Sequence, residues 1–286
     1  MSRSAASGFL AATLLWGVVT CGDVVGPDAG RSMVVAADCD STSTLPPTGT
    51  DAFPVPLIDG GGLYGGGQNA PPAFHLAAAP VGSGPVLVAA IGMSNTIQEW
   101  RALQAQYTGN ATLLPTACAG CTVDEWDDYA DSGWARAEAY LDRKGLDPDS
   151  IRVVWLKVTK TKTIAPTADD LDHILAVMRV RWPNVAQVFV SGRIYGGYRA
   201  DGEPAAYESG LAVREFVLRH LGETAPWIAW GPYLWANGDT PRSDGLAWLP
   251  EDLVEDGIHP SPSGEAKVAA MLDAFFSSHP ATEWYR

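Results

Sequence analysis

Short apolar runs alternate along the chain with longer segments of helical periodicity. The runs contain many β-branched residues and few polar ones, which is typical of strands buried on both faces of a sheet. They predict strands over Val86–Ile91, Ala111–Leu114, Ile151–Val158, Val185–Ser191 and Trp227–Trp230. The longer segments predict helices over Ile97–Gln106, Ser132–Lys144, Ala168–Arg181, Ala205–Leu221 and Gly264–Phe276. The alternation predicts an α/β fold, a three-layer α/β/α sandwich around a mostly parallel five-stranded sheet.

The N-terminal segment 1–21 has the pattern of an export signal. Arg3 is its only charged residue, and the apolar run 8–19 is too short to span a membrane comfortably. The segment ends Val-Val-Thr-Cys, which resembles a lipoprotein box with Cys21 as the lipidated residue; cleavage by an ordinary signal peptidase is the alternative. Either ending predicts an exported protein that is extracellular, periplasmic or lipid-anchored at the cell surface.

Two further N-terminal segments differ in composition from the folded part. Residues 22–55 are rich in Ser, Thr, Asp, Gly and Pro and predict a flexible linker. Residues 59–67 contain six glycines but lack the Lys-Ser/Thr ending of a phosphate-binding P-loop. We interpret them as an ordered loop whose backbone lies close to other parts of the protein, so that residues 56–286 form one domain with a glycine-rich N-terminal extension.

Composition excludes some classes of partner. Apolar residues make up 47% of the 286 residues, enough for a substantial core, and the formal charge is −14. This acidity argues against nucleic acid as a partner and against anionic membranes, so a membrane is expected only through a lipid anchor at Cys21. Eleven Trp and nine Tyr suit either a carbohydrate-stacking or acyl-binding cleft, or an ordinary core.

Ser94 lies where the first predicted strand ends. Gly92 permits a sharp turn, and the hydroxyl of Ser94 is then expected at the carboxyl end of a strand, with its backbone N–H at a helix N-terminus. Open α/β sheets bind ligands at that end. The alternative is that Ser94 serves only as a helix N-cap.

A second candidate segment lies near the C-terminus. Asp256 and His259 are three residues apart, just before Ser-Pro-Ser-Gly and the last predicted helix. A nucleophilic serine needs a base that takes its proton and a carboxylate that orients the base, and one loop could supply both. The remaining histidines of the helical and tail segments, His173, His220 and His279, lack this setting and are expected to be structural.

Together these blocks resemble the SGNH, or GDSL-type, hydrolase superfamily. Its first block is Gly-Asp-Ser at the end of the first strand, here Gly92-Met93-Ser94-Asn95, and its last is Asp-x-x-His, matched by Asp256 and His259. The resemblance implies a flavodoxin-like SGNH fold and a Ser94–His259–Asp256 triad that requires no metal and no organic cofactor. The α/β-hydrolase motif Gly-x-Ser-x-Gly is absent from the sequence.

The resemblance also implies an oxyanion hole. Its donors would be the N–H of Ser94 and that of Gly120, which follows the second strand. The family's third donor is the Asn of a Gly-x-Asn block; this chain has neither residue there, and Lys157 or Thr159 could supply a donor instead. Further residues predicted at the strand carboxyl ends are candidates for substrate binding: Asn95, Arg193, Tyr195, Glu208 and Tyr233.

Cys118 and Cys121 form a Cys-x-x-Cys pair. A redox or zinc site has little support without a thioredoxin-like frame or two more ligands, and a local disulfide fits an exported protein better. Cys39 would then be free, or paired with Cys21 if Cys21 is not lipidated. A Cys118–Cys39 bridge remains the alternative.

The sequence therefore predicts an exported serine esterase that acts on a small-molecule or polysaccharide ester, with short-chain esters and carbohydrate O-acetyl groups as leading substrates. Met93 and the missing Gly-x-Asn block motivate a second hypothesis, a non-catalytic glycan-binding or surface protein with the same fold. Acyl transfer to a sugar rather than to water is a third.

Overall fold

The computed structural model describes residues 80–220, 222–242 and 244–286, together with Val24–Val25 and Val34–Val35 of an N-terminal unit, Met1–Asp40. Those two dipeptides pair as short antiparallel strands within the predicted linker. The predicted signal segment, the glycine-rich loop, Cys21 and Cys39 lie outside the described residues. Within the described ranges, no helix combines the length and apolar character needed to cross a membrane.

The second unit, Ser41–Arg286, is built around a five-stranded sheet. Its strands are β1 Leu87–Gly92, β2 Thr112–Leu114, β3 Ile151–Lys157, β4 Gln187–Val190 and β5 Trp227–Trp230. The order across the sheet is β2-β1-β3-β4-β5, and each neighbouring pair is parallel. This is the flavodoxin-like doubly wound order, so the predicted fold class is confirmed, with the sheet wholly rather than mostly parallel.

Among the described residues, five α-helices cover the sheet, and all five were predicted to within a few residues. They are α1 Ser94–Gln106, α2 Ser132–Arg143, α3 Ala168–Arg181, α4 Ala205–Arg219 and α5 Pro262–Ser278. Helix α1 packs against α5, whereas α3 packs against α4. Helix α1 connects β1 to β2, its neighbour on one side, and α2 connects β2 to β3 on the other side of β1. Because such crossovers are right-handed, α1 and α2 lie on opposite faces of the sheet. The result is three layers.

Side-chain caps mark the starts of two of these helices. At α3, the Thr167 side chain accepts a hydrogen bond from the Asp170 N–H, and Asp170 reaches back to Thr167 in a capping box. At α5, Ser261 caps the helix and Pro262 is its first residue, two residues before the predicted start at Gly264. The start of α1 was predicted three residues late; its N-cap is Met93, whose side chain makes no capping bond.

Tryptophan residues fill the layers between sheet and helices. Nine of the ten that the structure describes are buried, leaving only Trp284 partly exposed. Trp100 of α1 stacks on Trp155 of β3 with 5.5 Å between ring centroids, and Trp134 of α2 meets Trp182 edge to face. A buried aromatic side chain contributes roughly 4–6 kcal/mol of transfer free energy. The tryptophan content therefore reflects the core rather than an aromatic cleft.

Candidate active site

The carboxyl ends of β1 and β3 form the topological switch point of the sheet, because the chain leaves these neighbouring strands in opposite directions. Open α/β sheets bind ligands in the crevice at such a point. Gly92, the last residue of β1, is in register with Lys157, the last residue of β3. Ser94 follows β1 directly and is the first residue of α1. The predicted nucleophile therefore lies at the expected ligand-binding end.

Gly92 is required by a close contact between strand and helix. A Cβ atom at this position would overlap the carbonyl oxygen of Lys157, and the backbone φ of 152° is one that other residues rarely adopt. The same carbonyl accepts a 2.7 Å hydrogen bond from the hydroxyl of Thr96 in the first turn of α1. These contacts hold the helix N-terminus, and Ser94 with it, against the end of β3.

Ser94 is hydrogen-bonded to His259 across 165 residues of sequence. The distance from Ser94 Oγ to His259 Nε2 is 2.8 Å. The N-cap of α1 is Met93, and the hydroxyl of Ser94 makes no capping bond. The alternative interpretation of Ser94 as a helix cap is therefore wrong.

The other ring nitrogen of His259 contacts Asp256, with 2.6 Å between Nδ1 and Oδ2. An ionised carboxylate can only accept, so this contact assigns a proton to Nδ1 and leaves Nε2 to accept from the Ser94 hydroxyl. The second oxygen, Oδ1, accepts the backbone N–H groups of Ile258 at 2.8 Å and His259 at 2.9 Å. The two motif blocks behind the SGNH resemblance thus meet in one hydrogen-bonded chain.

The Asp256–His259 segment is a tight turn closed by backbone bonds. The N–H of Val254 donates to the carbonyl of His259 at 2.9 Å, and that of Gly257 donates to Val254 at 2.9 Å. Gly257 has a φ of +65°, and a Cβ there would lie 2.9 Å from backbone atoms of Tyr198 and Arg199. Because of both constraints, only glycine fits at position 257 without strain.

The turn keeps Asp256 ionised. Burial alone would raise the pKa of this carboxyl, but the hydrogen bonds from the His259 backbone, the His259 ring and the Ile258 backbone outweigh it and lower the pKa below its ordinary value. A carboxylate that stays ionised can orient the His259 ring and stabilise its charged form.

Asn95 has a different role from the predicted contact with substrate. Its side chain is only 3% exposed, and its amide donates a 2.8 Å hydrogen bond to the carbonyl of Ile258. This contact joins the residue after Ser94 to the residue before His259. The structure therefore corrects the prediction, and Asn95 positions the two halves of the site.

Lys157 likewise does not reach the site as an oxyanion donor. Its side chain is fully buried, and Nζ lies 2.6 Å from Oε1 of Glu99, a buried residue of α1. Burial raises the pKa of Glu99 and lowers that of Lys157, while the attraction between the pair opposes both effects. The prediction failed because no local signal marks Glu99 as the partner that neutralises this lysine.

The two other predicted donors have different surroundings. The hydroxyl of Thr159 donates to the carbonyl of Thr161 at 2.7 Å, so that side chain is not free to bind an oxyanion. Gly120 is exposed and has a left-handed φ of +79°. Its N–H makes no hydrogen bond within the described ranges, and the same is true of the Ser94 N–H.

A disulfide joins Cys118 to Cys121, as predicted. The N–H of Cys121 donates to the carbonyl of Cys118 at 3.2 Å, and the left-handed glycine between them is the residue that a type II turn requires. The N–H of Cys118 donates to the carbonyl of Gly92 at 3.1 Å. The disulfide-closed turn that carries Gly120 is therefore anchored at the end of β1, next to Ser94.

The remaining predicted substrate contacts differ in accessibility. Tyr233 is buried, with the Arg242 guanidinium 5.1 Å from its ring centroid, and so belongs to the core rather than to a binding surface. Tyr195 is half-buried and packs edge to face on Tyr198. Glu208 is half-buried in the first turn of α4. Arg193 is buried beyond the end of β4.

Glu203 organises the loop after β4 in a way that its sequence context does not predict. Its carboxylate accepts the Gly196 N–H and the Trp235 indole N–H, both at 2.9 Å, and the Tyr207 N–H at 3.1 Å. Burial nevertheless raises its pKa. These bonds close the loop that follows β4. No local signal marks Glu203, because its three partners are brought to it only by the fold.

The other histidines take structural positions. His173 is exposed in the middle of α3, and His220 ends α4 between Asp172 and Glu223. His279 ends α5, is 1% exposed and packs on Phe275. None of the three is hydrogen-bonded to a serine in the described part of the chain.

Neither a protein-family model nor a curated protein sequence matches this chain. Similarity is found among solved structures. A carbohydrate esterase family 3 protein from Talaromyces cellulolyticus is 16% identical, with 65% of this chain and 93% of that one covered and a TM-score of 0.40. The C-terminal catalytic domain of peptidoglycan O-acetyltransferase A (OatA) from Streptococcus pneumoniae is 16% identical over 69% and 95%, with a TM-score of 0.40.

A family 3 carbohydrate esterase from Clostridium thermocellum is 14% identical, with 65% of this chain and 92% of that one covered and a TM-score of 0.38. At these identities and TM-scores the similarity transfers neither a residue role nor a substrate to this chain. The chemistry of the site must therefore be argued from its own residues.

Proposed function

We propose that this chain is a serine esterase of the SGNH type that hydrolyses carboxylic esters through an acyl-enzyme. One observation carries the proposal: Ser94 Oγ, the His259 ring and the Asp256 carboxylate form a continuous hydrogen-bonded chain with distances of 2.8 Å and 2.6 Å. Nucleophile, base and orienting carboxylate are the three parts that serine hydrolysis needs. The proposal assigns Ser94 as nucleophile, His259 as general base and Asp256 as orienting group.

In the first half-reaction, Nε2 of His259 takes the proton of the Ser94 hydroxyl as Oγ attacks the ester carbonyl. The resulting imidazolium donates through Nδ1 to Asp256, which stays ionised. The same imidazolium then gives its Nε2 proton to the leaving alkoxide, and an acyl-enzyme remains on Ser94. In the second half-reaction, His259 takes a proton from the water that attacks the acyl group, and it returns that proton to Ser94 Oγ as the free acid leaves.

The tetrahedral intermediate needs donors for its oxyanion. The N–H of Ser94 is the first donor that we propose, because it lies at the N-terminus of α1, where the helix dipole favours negative charge. The N–H of Gly120 is the second, because its turn is anchored to Gly92. One such donor typically contributes about 2.7–4 kcal/mol to the transition state.

A fluorophosphonate probe tests this proposal on the full chain. Activated serine should form a covalent phosphonyl adduct, and the added mass should map to the peptide that contains Ser94. The Ser94→Ala variant should stay unlabelled, and His259→Ala should label at least about a hundredfold more slowly. Labelling of wild type no faster than of Ser94→Ala would instead favour a non-catalytic glycan-binding protein with this fold.

Short-chain esters and carbohydrate O-acetyl groups are the substrates that we propose to test first. Product analysis with an added sugar acceptor separates hydrolysis from acyl transfer. Release of free acid in proportion to ester consumed supports hydrolysis, whereas an acylated acceptor would show a transferase.

A further inference from the structure

Positive charge is concentrated beside the switch point of an otherwise acidic protein. The net charge is −14, yet three of the five lysines lie within the six residues 157–162, at and directly after the end of β3. The buried guanidinium of Arg193 contacts the same segment, with Nη1 3.1 Å from the carbonyl oxygen of Lys162. Four cations therefore cluster around one loop.

Two of these cations are neutralised by direct ion pairs. Lys157 is paired with Glu99, and Lys160 lies 2.7 Å from Asp170. Lys162 and Arg193 make no ion pair with any carboxylate in the described part of the chain. Lys162 is exposed, whereas Arg193 is only 4% exposed. Of the two cations without an ion pair, Lys162 thus lies at the surface and Arg193 lies beneath the surface.

The acidic groups nearest to these cations are held by other partners. Glu203 acts on Arg193 electrostatically, but its oxygens accept three N–H groups, from Gly196, Tyr207 and Trp235, and none from the guanidinium. Asp201, whose pKa Lys162 helps to lower, is paired with Arg199. A buried guanidinium with one hydrogen bond is costly unless a further acceptor completes it.

Arg193 lies at the same edge of the sheet as Ser94. Arg193 follows β4, and β4 is separated from β1 only by β3, so the two strands lie roughly 10 Å apart. All the strands are parallel, so Arg193, Lys162 and Ser94 follow carboxyl ends on the same edge of the sheet. Arg193 is also close enough to Lys157 for its charge to lower the pKa of that lysine.

From this juxtaposition we infer that Arg193 and Lys162 form an anion subsite that binds a carboxylate of the ester substrate. The inference rests on the proposed function and deepens it: the substrate class is an ester that carries a carboxylate, either on its acyl group or on its alcohol. The planar guanidinium of Arg193 matches carboxylate geometry, and the ammonium of Lys162 adds attraction from the rim.

Kinetic comparison of matched esters tests the inference. For the acyl side, p-nitrophenyl hemisuccinate is compared with neutral p-nitrophenyl valerate; for the alcohol side, O-acetylated glucuronic acid is compared with its methyl ester. Wild type should show a higher kcat/KM for the acidic member of at least one pair. Arg193→Gln, and separately the exposed charge reversal Lys162→Glu, should each reduce that preference by about tenfold or more.

Arg152→Gln is the matched control, because Arg152 lies at the opposite end of β3 and its substitution should leave the preference unchanged.

A binding measurement separates this inference from the proposed function. Titration calorimetry on Ser94→Ala should show that O-acetylated glucuronic acid binds more tightly than its methyl ester, or that succinate monomethyl ester binds more tightly than the neutral valerate methyl ester. This result is expected whether or not wild type hydrolyses these esters. Equal preference and equal binding for the acidic and neutral members would overturn the subsite, even if ester hydrolysis is observed. Loss of hydrolysis alone would overturn only the esterase.

Discussion

Asn95 donates its side-chain amide to the carbonyl oxygen of Ile258 at 2.8 Å, which ties the residue after the proposed nucleophile to the residue before the proposed base. The contact is buried and spans 163 residues of sequence. It therefore couples the start of α1 to the turn that carries Asp256 and His259. Alignment of Ser94 with His259 should depend on it.

The Asn95→Ala variant tests this coupling. Loss of the amide leaves the Ile258 carbonyl buried without its donor, which should lower the free energy of unfolding by about 1–3 kcal/mol. Misalignment of Ser94 and His259 should lower kcat by about 10–100-fold while KM changes little. Asn184→Ala is the control, because the Asn184 amide also donates to a backbone carbonyl, that of Asp149, but on the surface. Equal kinetics in the two variants would contradict the positioning role.

Gly257 and Gly145 form a natural pair for testing the turn. Both have a left-handed φ, +65° and +66°, but a Cβ on Gly145 meets open space, whereas one on Gly257 meets backbone of Tyr198 and Arg199 at 2.9 Å. Gly145→Ala should cost about 1–2 kcal/mol of folding free energy from φ alone. Gly257→Ala should cost more and should also reduce esterase turnover. The prediction fails if urea denaturation shows the same loss of folding free energy in both variants and Gly257→Ala leaves turnover unchanged.

The buried pair Glu99 and Lys157 should support the fold rather than the chemistry. Glu99→Gln leaves the Lys157 ammonium buried without its carboxylate, which should cost about 3–5 kcal/mol. The double variant Glu99→Leu, Lys157→Met removes both charges and should regain most of that stability. Denaturation midpoints measure both effects.

The same double variant tests whether Lys157 acts on the oxyanion. Its kcat should stay within about threefold of wild type, since removal of a true oxyanion donor would lower kcat about a hundredfold to a thousandfold. A folded double variant with that larger loss of kcat would show that Lys157 does act on the oxyanion.

Asp256 should make folding stability depend on pH in the acid range. Its pKa is lowered in the folded protein, so its stabilising contribution is fully present above its unfolded pKa of about 3.9 and is lost as the pH falls through the lower folded value. The difference in thermal midpoint between wild type and Asp256→Asn should therefore shrink as the pH falls below about pH 4. A difference that does not shrink in this acid range would contradict the assignment.

The sequence predicted the elements of this fold well, because each carries a local signal. Trp227–Trp230 and Ala168–Arg181 have the predicted bounds, the first an unbroken apolar run and the second a periodic segment with a capping box. The SGNH resemblance singles out Ser94, Asp256 and His259 as candidate site residues, and the strand and helix pattern predicts their positions. The hydrogen bonds among these three residues could not be predicted.

The sequence could not predict side-chain contacts between residues that only tertiary packing brings together. Asn95 looked like a substrate contact because it adjoins Ser94, and Lys157 looked free because Glu99 lies 58 residues away. Periodicity tells which residues face the core but not which side chain on another element they meet. The polar core contacts of this site, including those of Glu203, belong to that class.

The most direct test of the central claim is hydrolysis of p-nitrophenyl acetate by the full chain, beside Ser94→Ala and His259→Ala. His173→Ala serves as a control, because His173 is an exposed histidine of α3. Wild type and the control should hydrolyse the ester, and both site variants should lose about a thousandfold or more of that turnover, with circular dichroism spectra unchanged. Wild-type turnover no faster than that of Ser94→Ala would contradict the claim that Ser94 is the nucleophile.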